Sequence, residues 1–172
     1  MLKIASSLLV LSLAVFVGSC SHAPTGSTLA PDGANTFTLL YQQSRNGTLE
    51  PCGCQSAPFG GIDREFNAVE EIKKSSSRVL FVDVGGLFTA PGSKTSLEGQ
   101  RAHAEAMLPM LAANGLTVFA PAASDYALGL DFLKKLEGQA KFAFIATNVV
   151  TAKGEPAFAT HKIVDLSGLP VA

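Results

Sequence analysis

The chain has 172 residues, with 13 basic and 14 acidic side chains and a formal net charge of −1. Such a balance lacks the basic footprint of a nucleic-acid-binding protein, so nucleic acid is excluded as a partner. Residues 20–172 are enough for one domain with a sizeable core.

The first residues have the three parts of an export signal. Lys3 gives a short positive region, residues 4–17 form an apolar stretch, and two small residues lead to Cys20. The apolar stretch is shorter than the roughly 20 residues that a membrane-spanning helix needs. The sequence VGSC (17–20) resembles the lipobox of bacterial lipoproteins, which implies that residues 1–19 are a signal peptide and that Cys20 is lipidated. An ordinary secretory signal with a chance cysteine is the alternative.

The residues after Cys20 predict how the domain is held at a membrane. Residues 20–35 are rich in Ser, Pro, Thr, Gly and Ala, which indicates the anchor followed by a flexible tether. A cysteine that carries several acyl chains anchors a protein stably. We therefore expect a protein of the bacterial cell envelope, held by Cys20 on the outer, periplasmic face of a membrane. Ser21 favours the outer membrane, because an Asp there would favour retention on the inner one.

Residues 36–172 alternate β-rich runs with helical patterns. Strands are predicted at residues 37–41, 78–84, 116–120, 142–146 and 161–166. Helices are predicted around residues 66–72, over 97–113 and over 130–136, and Pro109 should bend the second. Asp63 is expected to cap the first helix, and Glu70 to pair with Lys74. The alternation predicts an α/β domain with a mostly parallel sheet. Residues 168–172 look like the approach to another strand, so we expect either an incomplete domain or a sheet edge covered by a partner.

Several segments resemble, in this order, the bacterial 5′-nucleotidases of the calcineurin-like metallophosphoesterase superfamily. They are LLYQQSRNG (39–47), VDVGGLF (82–88), AASDYALG (122–129) and ATNV (146–149), followed by VDLSGLPV (164–171). The first three stand where the family has its Asp-x-His loop, a strand that ends in Gly-Asp, and its Gly-Asn-His-Glu loop. The resemblance implies the calcineurin-like α/β sandwich, of which residues 36–172 would make about the N-terminal half.

The departures from the family pattern fall on its metal ligands. Hydrolysis by two metal ions needs a bridging carboxylate together with further carboxylate and imidazole ligands. On this resemblance, the ligand positions correspond to Ser44, Asn46, Gly86, Ala123 and Ser124. Glycine and alanine supply no ligand, and neutral Ser and Asn oxygens do not offset the repulsion between two divalent cations. The family's later His ligands would lie beyond Ala172. We therefore predict that the phosphohydrolase activity has been lost; a residual nucleotide or phosphoester hydrolase is the rival hypothesis.

A Cys-Gly-Cys sequence follows the altered first loop. EPCGC (50–54), with Gly60-Gly61 after it, resembles a marker of an exported branch of the same superfamily. Some relatives in that branch place selenocysteine in such a motif, which implies redox chemistry. Once Cys20 is lipidated, Cys52 and Cys54 are the only thiols, in a compartment where disulfides persist. A disulfide between residues i and i+2 is strained and therefore labile, as an exchange catalyst requires. Cys52 and Cys54 are thus the predicted catalytic residues, acting on a thiol redox partner.

Other roles for these residues stay open. Cys52 and Cys54 could form a static disulfide or ligate a soft metal ion such as copper or zinc, which is the one cofactor that the sequence suggests. Zinc would need about two more ligands. The protein could also be a non-catalytic scaffold that binds a partner, or the missing C-terminal half, through the cleft where the family holds its metals.

Simpler roles are expected for the remaining polar residues. We expect surface or packing roles for His22, His103 and His161, and a strand end for Asp83. Asp125 could form hydrogen bonds near the thiols, and Arg64 could be solvated or have a family role.

Overall fold

The computed structural model describes residues 35–53 and 59–172. The predicted signal peptide, Cys20, nearly all of the predicted tether and Cys54 lie outside the described residues. Within the described ranges, no helix combines the length and the apolar character needed to cross a membrane.

Four parallel strands form the central sheet, in the order β1-β2-β3-β4. They are β1 (Thr38–Gln42), β2 (Val79–Asp83), β3 (Val118–Phe119) and β4 (Ala143–Phe144). Every strand is joined to the next by a helix, as a parallel neighbour requires. The predicted α/β class with a parallel sheet is confirmed.

Three α-helices make the crossovers. They are α1 (Ile62–Ser75), α2 (Leu97–Ala113) and α3 (Leu130–Gln139), and a short 3₁₀ turn at Asp125–Leu128 precedes α3. The bounds of α2 agree with the prediction, because the Ser96 hydroxyl accepts a hydrogen bond from the Gly99 amide at its start and Asn114 ends it. The helix runs through Pro109 as one element.

Two local predictions about α1 are wrong. The helix begins after Gly61 and has no side-chain cap, so Asp63 lies inside the first turn, where its charge suits the helix dipole. The predicted Glu70–Lys74 pair is replaced by two pairs at a spacing of three residues, Glu70–Lys73 and Glu71–Lys74. These pairs are exposed and add little stability.

A small antiparallel hairpin ends the described chain. It consists of β5 (Val164–Asp165) and β6 (Pro170–Val171), which form a separate two-stranded sheet. The Gly168 amide donates to Asp165 Oδ1 at 2.8 Å and closes the turn. The strand predicted at residues 161–166 is therefore present but shorter, and it lies in this separate sheet.

The core lies between one face of the sheet and the helices. Its aromatic centre is Phe119, whose ring meets Phe144 and Phe88 edge to face at centroid distances of 4.9 and 5.2 Å. Helix α2 adds Ala104, Met107 and Leu111, each fully buried. This packing fixes the carboxyl ends of β1, β2 and β3, from which the candidate site is built.

Candidate functional site

The predicted ligand positions lie in loops that leave the carboxyl ends of β1, β2 and β3. In parallel α/β sheets this edge is where ligands bind. The loops after β1 and β2 are joined by backbone hydrogen bonds, from Ser44 N to Gly85 O at 2.7 Å and from Asn46 N to Gly86 O at 2.7 Å. The structure thus brings three predicted positions, Ser44, Asn46 and Gly86, into direct contact.

Gly86 is fitted closely against Ser44. A Cβ atom at Gly86 would lie 3.0 Å from Ser44 Cα, and the φ angle of +69° disfavours any residue with a side chain. Ser44 and Asn46 also have positive φ angles, of 56° and 57°. A side chain at position 86 would therefore be strained and would require the Ser44 backbone to move slightly away.

Asp125 joins the loop after β3 to the loop after β2. Its fully buried carboxylate accepts hydrogen bonds from the backbone amides of Gly86, Leu87 and Phe88 at 2.8, 2.9 and 3.1 Å, and from Ala122 at 2.9 Å. All four of these hydrogen bonds go to backbone amides and none goes to Cys52, while Cys54 lies outside the described residues. The neighbouring Ala123 and Ser124 line a separate cavity of about 480 Å³.

Asp83 is the second buried carboxylate near this edge. Its Oδ1 accepts from the Gly85 amide at 2.8 Å, and its Oδ2 makes no hydrogen bond of ordinary geometry to a described residue. Burial raises the pKa of Asp83 to about 6, while the Gly85 amide and the nearby Gln42 carboxamide act in the opposite direction. Asp83 shapes the end of β2, as expected.

The side chains at this edge do not fit a two-metal centre. Across the described ranges, no three His, Cys, Asp or Glu residues are grouped so that they could hold a metal ion. Gly86 and Ala123 have no donor atom, and the Asp125 oxygens are already engaged by amides. A bridging carboxylate between two divalent cations is the ligand that such a centre needs first.

The loop that carries Cys52 is closed by backbone pairing. The Ile62 amide donates a hydrogen bond to the Leu49 carbonyl oxygen at 2.8 Å, and Cys52 and Phe59 exchange two backbone hydrogen bonds of 2.8 and 2.7 Å. A Cβ atom at Gly61 would lie 2.8 Å from Pro51 Cγ, and Gly61 has a φ angle of +91°. Pro51 and Gly61, which both belong to the EPCGC … GG pattern, thus lie so close together that position 61 favours glycine.

Cys52 opens onto a surface cleft that it shares with the loop after β1. The cleft has a volume of about 720 Å³, and Cys52 is an exposed free thiol. Of the predicted site residues, Cys52 and Ser44 are brought together here, whereas Ala123 and Ser124 line the other cavity. The lining of the cleft consists of Gln42, Gln43, Ser44, Arg45, Thr48, Cys52, Phe59, Gly60, Gly61, Arg64 and Glu65.

A buried polar network below the cleft was missed by sequence reasoning. The Arg45 side chain is 7% exposed; its guanidinium pairs with Glu65 and donates to Gln42 Oε1 at 3.0 Å. Asn114, at the end of α2, donates to the other Glu65 oxygen. Burial raises the pKa of Glu65, against the opposing effects of Arg45 and Asn114. The one sequence signal was an arginine inside an otherwise uncharged motif loop.

The described histidines have the surface roles that were expected. His103 is exposed on α2, and its Nε2 lies 2.7 Å from the Gly47 carbonyl oxygen, which ties α2 to the loop after β1. His161 is exposed beside the Thr160 hydroxyl at 3.2 Å. His22 lies outside the described residues.

Comparisons with known proteins identify the fold. No protein-family model and no curated protein matches the sequence. Among solved structures, the chain is similar to a 5′-nucleotidase precursor from Thermus thermophilus, at 22% identity and a TM-score of 0.65 over 78% of this chain and 27% of that one. It is also similar to the calcineurin-like phosphoesterase YfkN of Bacillus subtilis, at 17% identity and 0.61 over 78% and 45%.

A third similar structure is the sulfate thiohydrolase SoxB of Thermus thermophilus, at 15% identity and a TM-score of 0.65 over 81% of this chain and 35% of that one. The chain therefore has the calcineurin-like phosphoesterase fold, as predicted. It spans less than half the length of each of these proteins.

Proposed function

We propose that this chain is a lipid-anchored thiol oxidoreductase of the cell envelope, built on a phosphoesterase fold that has lost two-metal hydrolysis. The observation that carries the proposal is the position of Cys52. Its exposed thiol opens onto the cleft that Ser44 and Arg45 line, beside the edge of the sheet where this fold is expected to hold its metals.

The proposed reaction is thiol–disulfide exchange with a partner disulfide. The Cys52 thiolate attacks one partner sulfur, the partner S–S bond breaks, and one partner thiolate leaves. The Cys54 thiolate then attacks Cys52 Sγ in the mixed disulfide and releases the second partner thiolate. The partner gains two electrons and two protons, and Cys52 and Cys54 become a disulfide. A reducing partner of the envelope then returns two electrons and two protons to the pair and restores the dithiol.

The loss of hydrolysis is supported by the chemistry of the ligand positions. Gly86 supplies no ligand and lies against Ser44 at a φ angle that strains any side chain, and Ala123 lacks a donor. Asp125, the carboxylate that remains in the third loop, is fully occupied by four backbone amides. Its position supports a structural role.

Hydrolysis is the second candidate function, because the similar structures include a 5′-nucleotidase precursor and an NAD nucleotidase of Haemophilus influenzae. For this chain, a residual nucleotide or phosphoester hydrolase would need ligands beyond those described. Ligation of a soft metal ion by Cys52 and Cys54 is the other alternative, and it would make both thiols unreactive while the metal is bound.

An exchange assay distinguishes these functions. The full chain in detergent, pre-reduced and freed of reductant, is mixed with a large excess of a disulfide-bonded peptide, which drives the exchange toward oxidation of the pair, and the released peptide thiol is followed. We expect one equivalent of disulfide to be reduced, none by Cys52→Ser, and a trapped mixed disulfide with Cys54→Ser.

The same preparations, with and without added Mn²⁺ or Zn²⁺, are tested on nucleotides and on nitrophenyl phosphate. Metal-dependent turnover that survives Cys52→Ser would establish the hydrolase and refute the proposal. A wild-type chain that reduces no peptide after its metal has been removed would refute the exchange function.

A further inference from the structure

The β1 edge of the central sheet has no neighbouring strand among the described residues. The strand order makes β1 and β4 the two edge strands of this sheet. At the β4 edge, a bridge between Ile145 and Ala159 places a further stretch of chain beside the sheet. At the β1 edge, the described part of the chain provides no such pairing. β1 is also the longer of the two edge strands, with five residues against two.

Two residues of β1 direct their backbone groups away from the sheet. The Thr38 amide donates a hydrogen bond to the Arg78 carbonyl oxygen at 2.8 Å, so the backbone groups of Thr38 face β2. Successive residues of a paired strand alternate in this respect, and the N–H and C=O groups of Leu39 and Tyr41 therefore face outward. These groups need hydrogen-bond partners, which water or another extended backbone can supply.

The side chains of β1 leave this edge open to pairing. Natural edge strands commonly carry a charged residue or a proline that hinders pairing with another chain. The sequence TLLYQ (38–42) contains neither. The side chains of Leu39 and Tyr41 are 51% and 73% exposed, so apolar contacts are available beside the outward backbone groups. An extended polypeptide with alternating apolar residues complements both features.

The open edge leads into the cleft that contains Cys52. Gln42, the last residue of β1, and Gln43 line this cleft together with the thiol. Phe59, which pairs with Cys52 through its backbone, also lines the cleft, and its side chain is 74% exposed. A strand added to β1 would therefore lead its next residues into the cleft, toward the Cys52 thiol.

We propose that the open edge of β1 binds the substrate of the thiol pair, which is an extended segment of a polypeptide that carries its disulfide next to the paired residues. The inference rests on the proposed function and names its substrate class. The backbone of Leu39 and Tyr41 binds the main chain of the substrate, and their side chains contact its alternate apolar residues. Continuity with the Cys52 cleft favours a substrate over a second copy of the chain, for which this cleft would have no role.

The first test measures binding without any redox step. The probe is a short peptide of alternating Thr and Val, flanked by Lys for solubility, and the protein is the full chain in detergent with Cys52→Ser and Cys54→Ser. Amide hydrogen exchange is followed by NMR spectroscopy. We expect the Leu39 and Tyr41 amides to exchange about tenfold more slowly with saturating peptide, because they gain acceptors. The Leu40 amide, which already faces β2, should change little.

Two results of this measurement would overturn the proposal. One is slow exchange of the Leu39 and Tyr41 amides in the absence of peptide, because a second copy or another segment of the chain would then already cover the edge. The other is exchange that stays fast at every peptide concentration.

The second test measures exchange rates with the reduced full chain. It compares bis(2-hydroxyethyl) disulfide with the same peptide carrying a terminal cysteine as its 2-hydroxyethyl disulfide. We expect the peptide to react about tenfold faster, because binding holds its disulfide near Cys52. Tyr41→Pro removes one outward N–H and should lower this preference about fivefold, whereas Tyr41→Thr keeps the N–H and should retain most of it. The rate with the small disulfide should be the same in both variants.

The outcomes separate this inference from the proposed function. If the small disulfide reacts and the peptide has no advantage, or Tyr41→Pro and Tyr41→Thr behave alike, the exchange function stands and substrate binding at the β1 edge is refuted. If the peptide slows exchange of the Leu39 and Tyr41 amides but neither disulfide reacts, the edge stands as a peptide-binding surface and the exchange function fails.

Discussion

The clearest stability prediction concerns Asp125, whose two oxygens serve four backbone amides on two loops. In Asp125→Asn, one oxygen becomes an NH₂ group that faces two amide donors. If Oδ2 is replaced, the amides of Gly86 and Ala122 lose their acceptor; if Oδ1 is replaced, those of Leu87 and Phe88 do. Each buried amide left without an acceptor costs about 1–3 kcal/mol. We therefore expect the free energy of unfolding to fall by about 3–5 kcal/mol.

The assay is equilibrium urea unfolding of the full chain in detergent, followed by far-UV circular dichroism. Asp131→Asn is the matched control, because Asp131 lies exposed in the first turn of α3 and its loss should cost only about 0.5 kcal/mol. A decrease below about 1 kcal/mol for Asp125→Asn would refute the view that this carboxylate clamps the loops.

Three further substitutions test other parts of the site. Burial raises the pKa of Asp83 to about 6, so the folded protein binds a proton that the unfolded chain releases between about pH 4 and 6. Asp83 should therefore make the protein less stable as the pH rises through that window. Asp83→Asn should remove up to about 3 kcal/mol of the pH dependence of the free energy of unfolding, and an unchanged dependence would contradict the assignment. Gly61→Ala should destabilise by more than about 1 kcal/mol because of its close contact with Pro51, and Gly60→Ala, with nothing within 4 Å, should cost less; equal losses in urea unfolding would argue against the contact. Gly86→Asp should lower the free energy of unfolding and give no metal-dependent hydrolysis of nitrophenyl phosphate. Turnover in this variant would contradict the proposal that more than one metal ligand is missing.

The elements with strong local signals were predictable from the sequence. The bounds of α2 follow from Ser96 at its start and Asn114-Gly115 at its end, both of which act through short-range backbone chemistry. β3 was predicted over residues 116–120 and pairs only at Val118–Phe119, opposite Val82 and Asp83. The length of a strand depends on its neighbour, and an apolar run does not contain that information.

The candidate site was predictable in outline only. Ser44, Asn46 and Gly86 lie at one edge, which fits the order of the motifs because parallel strands end on the same side. The Arg45–Glu65–Asn114 network was not predictable, since Asn114 and Glu65 are 49 residues apart and no short pattern encodes such a contact. The partners of Asp125 were not predictable for the same reason, because three of its four amide partners belong to a loop 37 to 39 residues earlier.

The central claim, that Cys52 and Cys54 form a reactive thiol pair, is tested most directly by a redox titration of the full chain. Samples equilibrated across a series of thiol–disulfide buffers are alkylated, and the masses at Cys52 and Cys54 are read by mass spectrometry. We predict one reversible two-electron transition, with a midpoint above the roughly −300 mV that is typical of structural disulfides. Thiols that never oxidise, or a disulfide that resists strong reductant, would contradict the account.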